Sequence, residues 1–250
     1  MAALTRRAAP HTTPDPVRIR PMLRALARGT QALLEFALPQ RCPACAAPAP
    51  ATQVLCEACW AHVPRLDRPV CARCLLEGQA PDGCLRHPGD RVHAAWLYDE
   101  RLTQVMHAFK FEGRPALATI LVEGMAMGLR ARPRPDFIIA VPLHPVRRRE
   151  RGHDQAAGLA RALARVIDVP VIEDALERTR ATEAQSGLGP RARRRNLRGA
   201  FQVRGASGLG GRRVWVVDDV LTTGATLHEA MATLRAAGAR TQGVVAAWAG

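Results

Sequence analysis

One stretch of thirteen residues limits the fold more than any other part of the chain: Val214-Trp215-Val216-Val217-Asp218-Asp219-Val220-Leu221-Thr222-Thr223-Gly224-Ala225-Thr226. Residues 212–217 read as a strand with the short continuous apolar run that burial on both faces requires. The run ends in two acids and passes through a small hydroxylated glycine turn into a helix expected over 225–237. That order places the turn at the carboxyl end of a parallel strand, where open α/β sheets bind ligands. Gly224 gives the backbone dihedrals closed to other residues and a close approach to a phosphate. The amides from Thr222 to Thr226, Ala225 among them, together with the helix start make an anion site, and the hydroxyls of Thr222, Thr223 and Thr226 add donors. Asp218 and Asp219 are suited to bond vicinal ribose hydroxyls and help hold Mg²⁺. The plainer reading is an ordinary strand–turn–helix with a solvated acidic pair, but paired acids set directly against such a turn have no packing reason.

The chain upstream has the matching texture. Residues 91–98 read as a strand, 100–110 and 115–131 as helices broken near Gly113 and Pro115, and 136–142 as a buried strand. A basic loop at 143–152 precedes a helix at 154–167, and a short strand is expected at 169–173. Residues 178–199 have weak periodicity and many arginines and read as a long loop. A last strand is expected at 241–248. Strands alternating with helices imply a parallel sheet with helices on both faces.

The N-terminal third is different. Cys42-x-x-Cys45 and Cys56-x-x-Cys59 are echoed by Cys71-x-x-Cys74 and Cys84-x-x-His87, offset by 29 residues for the first pair and 28 for the second. Zinc takes four tetrahedral N or S ligands, and each C-x-x-C knuckle supplies two thiolates. The economical arrangement is two sites, Cys42, Cys45, Cys56 and Cys59 in one and Cys71, Cys74, Cys84 and His87 in the other; the spacing also permits interleaving. Free thiols, a redox pair and an iron–sulfur cluster are the alternatives that four spaced pairs disfavour. No ligand position looks open, so the sites read as structural, and a segment with so little apolar core needs metal to fold.

A chain of 250 residues, 48% hydrophobic, can bury one full core plus a small satellite. Residues 1–21 carry four prolines and read as a disordered lead-in, and 22–40 hold an amphipathic helix. The double zinc module then occupies 41–90 and the α/β domain 91–250. No apolar run is long enough to span a bilayer and no apolar segment follows Arg6 and Arg7, so a cytoplasmic location without membrane insertion is expected. In that compartment crowded cysteines point to metal rather than disulfides. The net charge of +14 is almost entirely arginine, Lys110 being the only lysine, and suits a polyanionic partner. A GC-rich genome, which inflates arginine and alanine together, would give the same composition.

The thirteen-residue string resembles the signature of type I phosphoribosyltransferases, which bind 5-phosphoribosyl-1-pyrophosphate (PRPP). A wider likeness is carried by the cysteine pairs, Leu38-Pro39-x-x-Cys42-Pro43, Val141-Pro142-Leu143-His144-Pro145, Arg151-Gly152-His153-Asp154-Gln155-Ala156, Gln185-x-x-Leu188 and Arg194-Arg195-Asn196-Leu197-Arg198-Gly199-Ala200-Phe201. Over residues 30–249 the chain is similar to the ComF family, which includes proteins linked to DNA uptake in natural transformation and the gluconate-associated relative GntX. His87 departs from the cysteine usual there, and His153 from a common aromatic. The resemblance implies a type I phosphoribosyltransferase-like parallel sheet flanked by helices, with a small N-terminal zinc-ribbon domain. It implies structural zinc, and Mg²⁺ with PRPP. Leu143 and His144 match the loop that contacts pyrophosphate, with Arg147, Arg148, Arg149 and Arg151 just beyond it. Residues 178–199 match a lid whose Arg191, Arg193, Arg194, Arg195 and Arg198 would meet a phosphorylated ligand or nucleic acid, or be a solvated charge run.

Phosphoribosyl transfer needs positioned reactants and stabilised charge rather than a separate nucleophile, so Asp218 and Asp219 are the residues that would carry any chemistry. Three roles stay open. The first is a PRPP-binding protein that assists single-stranded DNA uptake beside a helicase-like competence protein. The second is an active phosphoribosyltransferase of nucleotide salvage, within nucleoside metabolism, with an unknown acceptor. The third is an adaptor gripping a partner through its zinc module.

Overall fold

The structure, a computed structural model, describes residues 41–49, 54–77, 84–111, 115–143, 154–180, 190–205 and 208–250. The expected lead-in and the helix at 22–40 lie outside the described residues, as do His144, Arg147, Arg148, Arg149 and Arg151. The elements are α1 (Glu57–Ala61), β1 (Val70–Cys71), β2 (Arg91–Leu97), α2 (Glu100–Phe111), α3 (Pro115–Leu129), β3 (Phe137–Ala140), α4 (Gln155–Ile167), β4 (Leu176–Arg178), α5 (Pro190–Leu197), β5 (Phe201–Val203), β6 (Arg213–Leu221), α6 (Ala225–Ala236) and β7 (Arg240–Trp248).

The main sheet runs β1-β2-β7-β6-β3, and its four long-range partners β2, β7, β6 and β3 are all parallel. β6 lies inside it, flanked by β3 and β7, which is why Val214–Val217 are apolar on both faces. Their side chains alternate. Trp215 and Val217 pack with α2, α3 and α4 on one face, and Val214 and Val216 with α6 on the other. This is the helix-flanked parallel sheet that the alternating pattern implies.

Three elements differ from the sequence reading. The expected strand at 169–173 reduces to one parallel bridge, Ile138 with Val171, because Pro170 has no amide to extend a ladder. Residues 190–197 form the helix α5 rather than loop. Its Pro190 takes the first helical position, where a missing amide is harmless. The short hairpin β4–β5, with Arg178 opposite Phe201, then closes the base of that excursion.

The zinc segment does not stand apart from this core. β1 adds antiparallel to β2, pairing Val70 with Val92 and Cys71 with Arg91. Cys42, Leu55, Cys56 and Val63 join the core on the face of α2–α4, while Val70 and Ala72 join the core on the face of α6. The first half of the module is therefore welded to one side of the sheet and the second half to the other.

Candidate functional site

Asp218 and Asp219 lie at the carboxyl end of β6, both half-buried, and strand pairing continues past them to Leu221. Each carboxylate is set by its neighbour's backbone: Asp218 Oδ1 accepts from Asp219 N at 2.8 Å, and Asp219 Oδ1 from Val220 N at 2.7 Å. Asp219 Oδ2 meets the Nζ of Lys110 at 2.9 Å. Burial pushes the Asp218 carboxyl up to about 8, with the negative charge of Asp219 adding to it and Lys110 opposing. One acid of the pair is thus held by a lysine, while burial and its neighbour's charge raise the carboxyl of the other.

The turn follows at once. Thr222 is exposed, Thr223 and Thr226 are half-buried, and Gly224 and Ala225 are buried. Gly224 sits at φ +69° as the N-cap of α6, and no side chain caps that helix. The first amides of α6 have no carbonyl four residues back, so they keep their donors for an anion. A β-carbon added at Gly224 would land on the backbone carbonyl of Ala72, between the zinc-ligand candidates Cys71 and Cys74. Gly224 is needed here for its dihedral and for the zinc knuckle packed on it.

A second link fastens the same two parts. Asp90, its side chain 5% exposed, accepts from His228 Nδ1 at 2.9 Å and from Arg235 Nη2 at 3.0 Å, both on α6. Its carbonyl accepts from Ala72 N at 2.8 Å, and its own amide donates to the His87 carbonyl at 3.0 Å. Burial alone would raise the Asp90 carboxyl, but the His228 hydrogen bond and the charges of His228 and Arg235 bring it below the usual carboxylate range.

The described ends of the β3–α4 connection meet at Leu143 and Asp154. Asp154 caps α4 by accepting from Ala157 N at 3.0 Å, and its other oxygen receives the Leu143 amide at 3.5 Å. That contact draws the ends of the 143–154 loop together. Next to it, the buried Gln155 donates to the Lys110 carbonyl at 3.2 Å. Lys110, Asp154 and Gln155 are thus brought around the acid pair, though the sequence pattern left them without a role. Lys110 had one signal, its standing as the only lysine in an arginine-rich chain.

Of the five lid arginines, all on or just after α5, Arg195 and Arg198 are exposed; nothing is described of the side chains of Arg191, Arg193 and Arg194. The helix is tied down at its end. Arg180 donates to the carbonyls of Asn196 and Arg198 at 3.0 and 2.8 Å, and Gly199 N donates to Glu229 of α6 at 2.6 Å.

The eight metal-ligand candidates fall into the two sequential groups. Cys42, Cys45, Cys56 and Cys59 have their sulfurs within 4.8 Å of one another, as do the donors of Cys71, Cys74, Cys84 and His87. All seven cysteines are free thiols. Sulfur to sulfur is 3.5 Å for Cys45–Cys56 and 3.7 Å for Cys74–Cys84, and His87 Nδ1 is 3.7 Å from both Cys71 and Cys84. A tetrahedron with Zn–S of about 2.3 Å and Zn–N of about 2.0 Å has edges of about 3.8 and 3.5 Å, so both groups fit zinc.

Comparison with known proteins agrees with both halves. The Double zinc ribbon domain family matches residues 33–85 and the Phosphoribosyl transferase domain family residues 153–250. Competence protein F of Haemophilus influenzae is 32% identical over 74% of this chain and 85% of its own. The DNA utilization protein YhgH of Escherichia coli O157:H7 is 35% identical over 75% of this chain and 86% of its own. A solved adenine phosphoribosyltransferase of Leishmania donovani covers 56% of this chain and 68% of its own at 14% identity, with a TM-score of 0.37, a likeness too low to bear on the site.

Proposed function

The chain belongs to the ComF family, and from that premise we propose that it binds PRPP or a related ribose phosphate and couples that site to the handling of single-stranded DNA in the cytoplasm. The carrying observation is the union, at the carboxyl end of β6, of two ribose-directed acids with an uncapped helix start behind Gly224. The 5-phosphate takes the amides and hydroxyls of the 222–226 turn, and Asp218 and Asp219 take the ribose hydroxyls. Leu143 and His144 contribute the pyrophosphate contact. Mg²⁺ with PRPP, held through one or two carboxylates and the ligand's own phosphates, supplies charge neutralisation. The residues fit it, since Asp218 and Asp219 adjoin and Asp154 is close enough to act on Asp218. Zinc in the two N-terminal groups has a structural part, bracing the turn through Ala72.

The DNA contact falls to the basic face of α5 and the residue after it, Arg191, Arg193, Arg194, Arg195 and Arg198, a segment with no acid to offset it. A gel shift of single-stranded DNA tests this part. Affinity should fall steeply with salt and vanish when Arg191, Arg193, Arg194 and Arg195 are changed to glutamate; binding that survives the reversal would remove the lid from the account. The phosphoribosyl transferase match at 153–250 favours a second reading, in which PRPP is also turned over. Pyrophosphate release in the presence of an acceptor would identify it.

A further inference from the structure

Lys110 has no part in the sequence motif, yet it is built into the site. It is the penultimate residue of α2, where the helix dipole favours a cation. Its side chain is 21% exposed and its ammonium lies 2.9 Å from Asp219 Oδ2, itself 16% exposed. Its carbonyl is anchored by Gln155, the first residue of α4, so α2, α4 and β6 converge on this one lysine. Asp219 already gives its other oxygen to Val220 N, which leaves the lysine as the partner that decides how the carboxylate is presented.

We propose that Lys110 is a positioning residue of the sugar-phosphate site, holding Asp219 in its ribose-binding orientation. The inference rests on the proposed reading of that site. Asp219 lies on β6 and Lys110 on α2, and the Gln155 hydrogen bond to the Lys110 carbonyl fixes the lysine's backbone to the start of α4. With the ammonium in place, the Asp219 carboxylate is held between Val220 N and Lys110 Nζ; without it, Oδ2 loses that partner and the carboxylate is no longer held toward a diol.

The test is PRPP binding with Mg²⁺ measured at pH 7 on the full chain, as wild type, Lys110→Gln and Lys110→Arg. Lys110→Gln should bind at least fivefold more weakly, and Lys110→Arg should restore the affinity. A second readout needs no variant. As the only lysine, Lys110 can be followed by acylation and mass spectrometry, and PRPP with Mg²⁺ should slow its modification at least threefold. Wild-type binding with Lys110→Gln less than fivefold weaker, or modification that ignores the ligand, would overturn the inference alone. If wild type does not bind PRPP, the proposed function falls and takes the inference with it.

Discussion

The carbonyl of Ala72 occupies the place that a side chain on Gly224 would take. A residue from the second zinc knuckle is thus the backing plate of the glycine turn that leads into α6. The cysteine-rich segment and the turn after β6 are one construction.

This contact separates two costs that a glycine substitution usually mixes. Gly199 has φ +67° and open space around it, whereas Gly224 has φ +69° and the knuckle against it. Gly199→Ala should cost about 1–2 kcal/mol, the left-handed backbone penalty alone. Gly224→Ala adds overpacking of about 1–3 kcal/mol and should lose about 3 kcal/mol or more, together with sugar-phosphate binding. Urea denaturation of the two variants measures the difference directly; equal losses would mean the knuckle does not press on the turn.

The two metal groups should differ in what they control. Two zinc ions per chain are expected by elemental analysis, given two complete sets of donors. Cys71→Ser with Cys74→Ser should remove one ion and weaken PRPP binding at least tenfold, because Ala72 sits between those residues. Cys42→Ser with Cys45→Ser should also remove one ion, but its neighbours pack on the opposite face of the sheet, so PRPP affinity should change less than threefold. Calorimetry on both variants checks the asymmetry.

His93 gives the fold an acid limit. It is buried on β2 beside Val244 of β7, and its Nε2 has no hydrogen-bond partner among the described residues. Burial, then the charges of Arg132 and Arg91, depress it to about 3. The unfolded chain binds a proton at this histidine below about 6.5 and the folded chain resists until about 3, so stability is lost as pH falls through that window. The slope is at most about 1.4 kcal/mol per pH unit, or about 2 kcal/mol between pH 6.5 and 5. His93→Leu should flatten that part of the stability profile, measured by denaturant midpoints across the range.

The sheet and the turn at the carboxyl end of β6 were legible in the sequence because their signals are local: an apolar run for β6, two acids, a glycine turn and a helix, all contiguous. The zinc groups were legible for the same reason, each donor pair lying within four residues. What escaped was whatever distant parts supply to one another. α5 carries no apolar stripe, and its helix is secured by Arg180 and Glu229 from elsewhere in the chain. Lys110 reaches Asp219 only once α2 and β6 are folded together. The joining of the zinc module to both faces of the sheet depends on β1, a two-residue strand too short to show periodicity.

The most direct measurement is calorimetric titration of PRPP with Mg²⁺ into the wild-type chain and into Asp218→Asn with Asp219→Asn. Saturable one-site binding by wild type, weakened at least tenfold in the double variant with its melting temperature unreduced, is the predicted result. No heat from wild type, or equal affinity in the two proteins, would contradict the account.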